Sequence, residues 1–252
     1  QARQANTGVV PIEAGGSLAL SMTVLVVGVL LSLWAGQRTG DAIEAQARER
    51  FDRLTLRVES SIRQRFDMPL FGLRGAHGIH NASEKLDRIE FRDYVHAIRL
   101  GEQFPGVRGF GYIVKVPRQD LATFELAERA DNAESFREKT SGIAPDLYVI
   151  KMIEPIANNG QAMGLDVGSE PVRRAAVLRA IDSGEATLTG PIKLKQDARQ
   201  RPGVLYLLPL YQEGATPPQD AAQRRARLVG IYYAPIVIDE LAQRFGFGVR
   251  NF

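Results

Sequence analysis

Residues 154–194 read EPIANNGQAMGLDVGSEPVRRAAVLRAIDSGEATLTGPIKL, and this stretch predicts a loop, then a helix, then a strand. Residues 155–164 are rich in turn-forming residues and predict the loop. Ser169 suits a helix N-cap and a proline follows at the first helical turn, so we predict a helix over 171–181. Gly184 then favours the end of that helix, because glycine is common just past helix C-termini.

Segments rich in β-forming residues lie on both sides of this helix. We predict strands at 107–116, 135–139, 147–154, 186–194, 204–211 and 228–233. The predicted helices beside them are 87–100, 120–130 and 235–245, and 212–225 is predicted to be a polar loop. Short loops join several neighbouring strands, which is typical of antiparallel sheets with helices packed alongside. We therefore predict an α+β fold with two subdomains that share a long helix.

The long helix is predicted from residues 37–71, where apolar residues recur at steps of three and four. Its apolar positions are Ile43, Ala47, Phe51, Leu54, Val58, Ile62 and Phe66. So narrow a stripe, near a 3.5-residue period, predicts a coiled-coil seam with a second copy of the chain. The alternative is a stalk helix packed on its own domain. Pro69, Gly72, Gly75 and Gly78 interrupt the pattern, so we assign the stalk to 37–75.

Upstream of the stalk, residues 15–36 read GGSLALSMTVLVVGVLLSLWAG and contain no charged residue. About 20 apolar residues, at about 1.5 Å each, are enough to cross the hydrocarbon core of a bilayer. We therefore predict a transmembrane helix at 15–36, preceded by a flank at 1–14. The alternatives are a cleaved signal peptide, for which an A-x-A-like site is missing, and a buried core helix.

Composition argues against several functional classes. The net charge is only +3, with acidic and basic residues interspersed, so we expect no nucleic-acid partner. Cysteine is absent, and the three histidines His77, His80 and His96 stand in no metal-binding frame, so we expect no metal and no cofactor. Phosphate-binding loops and nucleophile elbows are missing, and we expect no enzyme in this segment. A hydrolase would need a nucleophile–base pair or a carboxylate dyad; Glu154 and Asp166 could form such a dyad, but nothing in the sequence fixes them together and no histidine lies near either.

Several blocks of the sequence resemble the core of a CHASE domain. They are residues 154–194, the upstream FRDYVHAIRLGEQFPGVRGFGYIVKV and the downstream GVLYLLPLY, and the resemblance covers about 91–238. CHASE domains are extracytoplasmic sensory modules of transmembrane histidine kinases, diguanylate cyclases and related receptors, including plant cytokinin receptors.

The resemblance implies that the stalk helix carries two PAS-like subdomains with antiparallel sheets, and that the membrane-distal one binds ligand. The sensor domain would be 76–252, with the distal subdomain at about 87–211 and the proximal part at about 212–252. A second membrane helix and a cytoplasmic histidine kinase of a two-component system, or a diguanylate cyclase, would follow. The implied location is a bacterial inner membrane with the sensor in the periplasm. The alternative function is a periplasmic module for dimerisation or protein-partner binding.

Arg173 is the candidate ligand-binding residue that indicates the ligand's chemistry. By register against the TLTGP block, it matches the helix position where cytokinin receptors carry an aspartate that reads adenine. A guanidinium is always charged, and its planar N–H groups can bind a carboxylate or phosphate through two parallel hydrogen bonds. We therefore expect a small ligand that is a carboxylate or phosphate, with a purine-like molecule still to be tested. The alternative is that Arg173 pairs with an internal carboxylate, such as Asp166 or Glu170.

Six further residues complete the predicted ligand site. The resemblance matches Thr189 and Leu207 to pocket-lining strand positions and Lys195 to the pocket edge. Core packing is the alternative for the first two, and a solvated lysine for the third. The others offer a carboxylate or a hydroxyl, with a structural role as the alternative: Asp166, Glu154 and Tyr112.

Overall fold

The computed structural model describes the backbone of residues 14–82, 87–194, 199, 201–212, 214 and 216–243. The chain divides into two compact units, Gln1–Ile62 and Arg63–Phe252. The described residues of the first unit are all helical. The second unit contains the end of the same helix and an α+β domain, so the predicted order of a long helix followed by antiparallel strands is confirmed.

The long helix α1 spans Ala14–Ala82, and it does not stop at the proline and glycines that we expected to interrupt it. Pro69 removes one backbone hydrogen bond, and packing of the surrounding turns offsets that loss. Gly72 allows close packing, since a Cβ there would run into the ring of Phe110, and one at Gly75 would meet the hydroxyl of Tyr94. These glycines therefore bring α1 close to the domain.

Large apolar side chains between Leu20 and Trp34 of α1 are exposed, most of them by half or more. Within the part of the chain that the structure describes, no helix combines the length and the hydropathy needed to cross a membrane. The transmembrane assignment of 15–36 stays a prediction.

Antiparallel strands form one sheet in the order β2-β1-β6-β5-β3, with β4 also pairing with β5. The strands are β1 Phe110–Pro117, β2 Asp146–Glu154, β3 Thr187–Leu188, β4 Ile192–Lys193, β5 Pro202–Tyr211 and β6 Leu228–Val237. The remaining helices are α2 Arg88–Ala97, α3 Leu100–Gln103, α4 Leu121–Ala130, α5 Ile156–Asn159, α6 Pro171–Ser183, α7 Ala221–Ala226 and α8 Ile238–Gln243.

We predicted two sheet-containing subdomains, whereas the strands in the described residues belong to a single sheet. The reason is the position of β6, which pairs with both β1 and β5 and so joins the early and late strands. The predicted strand at 135–139 is wrong, because only Lys139 makes an isolated bridge, to Leu165. The predicted strand at 186–194 is broken into the two-residue strands β3 and β4, and the predicted loop at 212–225 contains most of α7.

Helices cover both faces of the sheet. On one face, α1 and α2 bury Leu73 and Phe91 against a set of strand residues that includes Phe110, Tyr112 and Tyr232. On the other face, α6 packs on Ile113, Leu205, Leu207, Ile231 and Tyr233. Successive strand residues alternate between these two cores, as the pleat requires.

On the face of the sheet that α6 covers, a glycine makes room for a tyrosine on the neighbouring strand. Gly111 of β1 is opposite Tyr233 of β6, and a Cβ at Gly111 would collide with the Tyr233 ring. The missing side chain therefore lets this ring lie flat across β1, beneath α6.

Candidate ligand-binding site

The first turn of α6 positions Arg173 over the sheet. Glu170, rather than the predicted Ser169, caps this helix, and its carboxylate accepts hydrogen bonds from the backbone N–H groups of Val172 and Arg173. The Arg173 side chain turns inward, so that the residue is only 8% exposed. Its Nη2 donates to the carbonyl of Lys193 in β4, at 2.8 Å.

Two buried polar atoms near this position have no hydrogen-bond partner among the described residues. They are Nε of Arg173 and the hydroxyl oxygen of Tyr233. Burial lowers the pKa of the Arg173 guanidinium and raises the pKa of the Tyr233 hydroxyl well above its ordinary value. No ion pair joins Arg173 to a carboxylate among the described residues, although the nearby charge of Glu170, the helix cap, raises the Arg173 pKa and so opposes part of the effect of burial. An anion would complement this arrangement.

Asp166 does not pair with Arg173. Its buried carboxylate accepts hydrogen bonds from the backbone N–H groups of Tyr148 and Gly168, each at 2.9 Å, and from the hydroxyl of Thr140 at 2.8 Å. These bonds join strand β2 to the loop before α6. The contacts are those of a structural carboxylate, which is the alternative that the sequence left open.

Leu207 lies on the same side of the sheet as Arg173, and Thr189 lies in the connection between β3 and β4. Leu207 is fully buried and is the register partner of Tyr233 in the neighbouring strand. The hydroxyl of Thr189 accepts a hydrogen bond from the N–H of Leu205 at 2.9 Å, which holds the β3–β4 connection against β5. The structure thus brings Arg173, Leu207 and Thr189 to one region, and their ligand-binding roles stay predictions.

Tyr112 and Glu154 lie elsewhere. Tyr112 is on the opposite face of the sheet, where its ring packs near His80 and Tyr232. Glu154 ends β2, where its carboxylate accepts from the N–H of Ile156 and lines a separate cavity of about 210 Å³. Lys195 lies outside the described residues.

The sequence did not predict a role for Tyr233, whose buried hydroxyl lies near the Arg173 guanidinium. Period-two alternation along LVGIYYAPIV would have placed Tyr233 on the same face as Ile231. Nothing in the sequence indicated that this face would meet α6. Among the described residues, no group of three or more His, Cys, Asp or Glu side chains could hold a metal ion.

Comparison with known families gives one match. The model of the CHASE domain matches residues 84–248, a range that contains the whole segment 91–238 identified by resemblance. No curated protein sequence matches the chain.

Proposed function

The chain belongs to the CHASE-domain family, and on this premise we propose that it senses a small anion for a transmembrane signalling receptor. CHASE domains are extracytoplasmic, non-catalytic sensory modules of such receptors. We therefore propose sensing, and not catalysis, as the activity of this segment. The ligand, the membrane anchor and the output domain are the further parts of the proposal.

The observation that carries the ligand's chemistry is the buried Nε of Arg173, which has no hydrogen-bond partner among the described residues. A buried cation is costly unless an opposite charge accompanies it. In the described part of the chain, the Arg173 side chain donates to the backbone carbonyl of Lys193, and the neighbouring Tyr233 hydroxyl offers a second donor. A carboxylate or phosphate group would satisfy both donors. Leu207 and Thr189 would line the apolar and polar sides of the same site.

We place this sensor in the periplasm of a bacterium, anchored in the inner membrane by residues 15–36. The exposed apolar side chains between Leu20 and Trp34 support the anchor, because soluble proteins rarely expose an apolar surface of that extent. The proposed output is a cytoplasmic histidine kinase or diguanylate cyclase.

Signal transfer would use α1 and a second copy of the chain. Exposed apolar residues in α1 follow the coiled-coil spacing: Phe51, Leu54 and Ile62, with the less exposed Val58 between them. This stripe supports a homodimer through the stalk. Ligand contacts that differ between two states of the domain would shift their populations, with a typical coupling free energy of about 1–3 kcal/mol.

A thermal-shift screen of the 252-residue chain in detergent tests the proposal. The panel contains carboxylates, phosphorylated metabolites and purines. A ligand at about 100 times its Kd should add about 2.7 kcal/mol to the free energy of unfolding. We expect an anionic ligand whose stabilisation disappears in Arg173→Met. Arg179→Met is the matched control, because Arg179 is an exposed arginine of α6 that also donates to a strand carbonyl, at Leu188.

Two results would contradict this assignment. A purine that stabilises Arg173→Met as well as the wild type would place the ligand elsewhere. A panel without any stabilising compound would favour the dimerisation or partner-binding module instead.

A further inference from the structure

A cavity of about 240 Å³ lies where α6 and α7 meet one end of strands β1, β2 and β6. The polar residues of its lining are Lys115, Asp146, Tyr148, Arg174 and Arg225. None of the residues assigned to the Arg173 site is among the described lining residues. The volume is below the range of about 300–1,000 Å³ that is typical of sites for drug-sized ligands, so the cavity suits a smaller molecule.

The carboxylates at this cavity already have cationic partners. Oδ2 of Asp146 lies 3.0 Å from Nζ of Lys115. Arg225 of α7 donates from Nε and Nη2 to the two carboxylate oxygens of Asp182 in α6, at 2.6 and 2.5 Å. Arg174 has no carboxylate at ion-pair distance in the described part of the chain. One positive charge at the cavity is therefore in excess.

Arg174 makes contacts that leave most of its hydrogen-bond donors available. Its guanidinium carbon lies 5.7 Å from the centre of the Tyr148 ring. Its Nη1 is 3.3 Å from the carbonyl oxygen of Gly168 and 3.4 Å from that of Asp146, both longer than an ordinary hydrogen bond. Its Nε and Nη2 donate to no residue that the structure describes. A guanidinium with these two groups available can bind a carboxylate through two parallel hydrogen bonds.

Tyr148 provides a further donor next to this guanidinium. The residue is only 5% exposed, and its backbone N–H donates to the Asp166 carboxylate at 2.9 Å. Gly168 makes room for the ring, since a Cβ there would come within 2.8 Å of Cδ2 of Tyr148. The Tyr148 hydroxyl has no hydrogen-bond partner within the described ranges. Burial raises the pKa of this hydroxyl, so it stays protonated and can donate.

The rest of the lining is an aliphatic wall, which consists of Leu178, Ile181 and Leu228. Such a wall favours a ligand with an apolar body, because removing apolar surface from water drives binding. The single excess positive charge favours a monoanion. A phosphate dianion would bring a second negative charge, for which the described lining offers no available cation.

We propose that this cavity binds a small aliphatic monocarboxylate. The carboxylate accepts two parallel hydrogen bonds from Nε and Nη2 of Arg174 and one from the Tyr148 hydroxyl. The apolar body of the ligand packs on the aliphatic wall. This site is independent of the one proposed at Arg173, whose side chain donates to β4, whereas the cavity lies beside β2.

Titration calorimetry of the 252-residue chain with 3-methylbutanoate tests this site, with the neutral 3-methylbutanamide as the ligand of matched shape. Wild type should bind the carboxylate at least about tenfold more tightly than the amide. Arg174→Gln should weaken carboxylate binding at least about tenfold, because charge-assisted hydrogen bonds are lost. Tyr148→Phe should weaken it about fivefold, the effect of one neutral hydrogen bond. Arg179→Gln, at an exposed arginine of α6, is the matched control and should not change the affinity.

Asp146→Asn should change the affinity in the opposite direction, because it removes a negative charge and frees Lys115 for the ligand. Tighter binding cannot result from partial unfolding. The proposal is overturned if 3-methylbutanoate does not bind wild type at millimolar concentration, if the amide binds equally well, or if Arg174→Gln leaves the affinity unchanged. Loss of binding in Arg173→Met, with Arg174→Gln unaffected, would also overturn it and would assign the carboxylate to the Arg173 site.

Discussion

Arg173 is a buried cation with no ion-paired carboxylate among the described residues, so its removal should not weaken the fold. Replacing a buried charge by an apolar side chain of similar length is often neutral or stabilising. We predict that Arg173→Met raises the free energy of unfolding by about 1 kcal/mol in urea denaturation. The hydrogen bond to Lys193 is lost, which offsets part of the gain.

The comparison variant for this prediction is Arg88→Met. Arg88 is also an inward-facing arginine, but it is ion-paired to the buried Glu128. Its removal should cost about 3 kcal/mol, because it leaves a buried carboxylate less well compensated. A loss of that size in Arg173→Met would show that Arg173 is a structural anchor.

His80 makes the stability of the domain depend on pH. Its ring lies between Tyr112 and Tyr232, and the Tyr232 hydroxyl is 3.2 Å from Nδ1. Burial, and then the nearby charge of His77, lower the pKa of His80 below its ordinary value of 6.5. Burial also raises the pKa of both tyrosine hydroxyls, so they stay neutral.

A lowered pKa means that the folded domain binds this proton less tightly than the unfolded chain does. The stability contributed by neutral His80 is therefore complete above pH 6.5 and is lost as the pH falls through the folded-state pKa. We predict that the Tm of wild type falls more between pH 7.5 and pH 5 than the Tm of His80→Gln. His96→Gln, at an exposed position on α2, is the control; equal pH profiles for wild type and His80→Gln would refute the assignment.

At the scale of elements, a buried ionic cluster attaches α2 and α4 to β2. Glu128 of α4 is 3% exposed, and its carboxylate accepts from Arg88 and from Nζ of Lys151, the latter at 2.9 Å. Glu128→Gln leaves the inward-facing Arg88 and Lys151 with Asp131 as the remaining carboxylate at ion-pair distance among the described residues. We predict a loss of about 3 kcal/mol in the free energy of unfolding.

The matched control for that cluster is an exposed pair. Glu102 and Arg99 lie 3.6 Å apart with both side chains largely exposed. Glu102→Gln should change stability by less than about 1 kcal/mol. Similar losses in the free energy of unfolding for the two variants would mean that Glu128 contributes no more to stability than an exposed charge does.

The elements that sequence predicted well are those with strong local signals. Proline at the start and Gly184 at the end defined α6, and runs of β-formers defined β2 and β5. The errors come from contacts between distant residues. Pro69 is tolerated in α1 because the surrounding turns pack on the domain. Strands β3 and β4 are short because they form the edge of the sheet, where each pairs with β5 on one side.

The same distinction applies to the candidate sites. Arg173 could be named as a candidate from its register within one block of sequence. The cavity of about 600 Å³ lined by Arg108, Asn159, Arg201 and Glu240 could not be predicted, because these residues come from four separate segments that only the fold brings together. The sequence alone could not show that Oδ1 of Asn159 lacks a hydrogen-bond partner among the described residues, because the orientation of the amide depends on the carbonyls of Arg108 and Pro155.

At the scale of the whole molecule, the proposed signalling requires that an anion bound near Arg173 alters the stalk. The chain contains no cysteine, so a single introduced cysteine reports one position without background. Leu54 lies on the apolar stripe of α1, and the equally exposed Leu56 faces away from it by helical geometry. These two positions make a matched pair for cross-linking between copies.

The measurement is therefore the rate of disulfide cross-linking of Leu54→Cys, with and without a saturating anion from the screen. We predict faster cross-linking than for Leu56→Cys, a rate that changes when the anion binds, and no such change when Arg173→Met is added. Equal rates with and without bound anion, or equal rates at the two positions, would contradict a sensor that signals through its stalk.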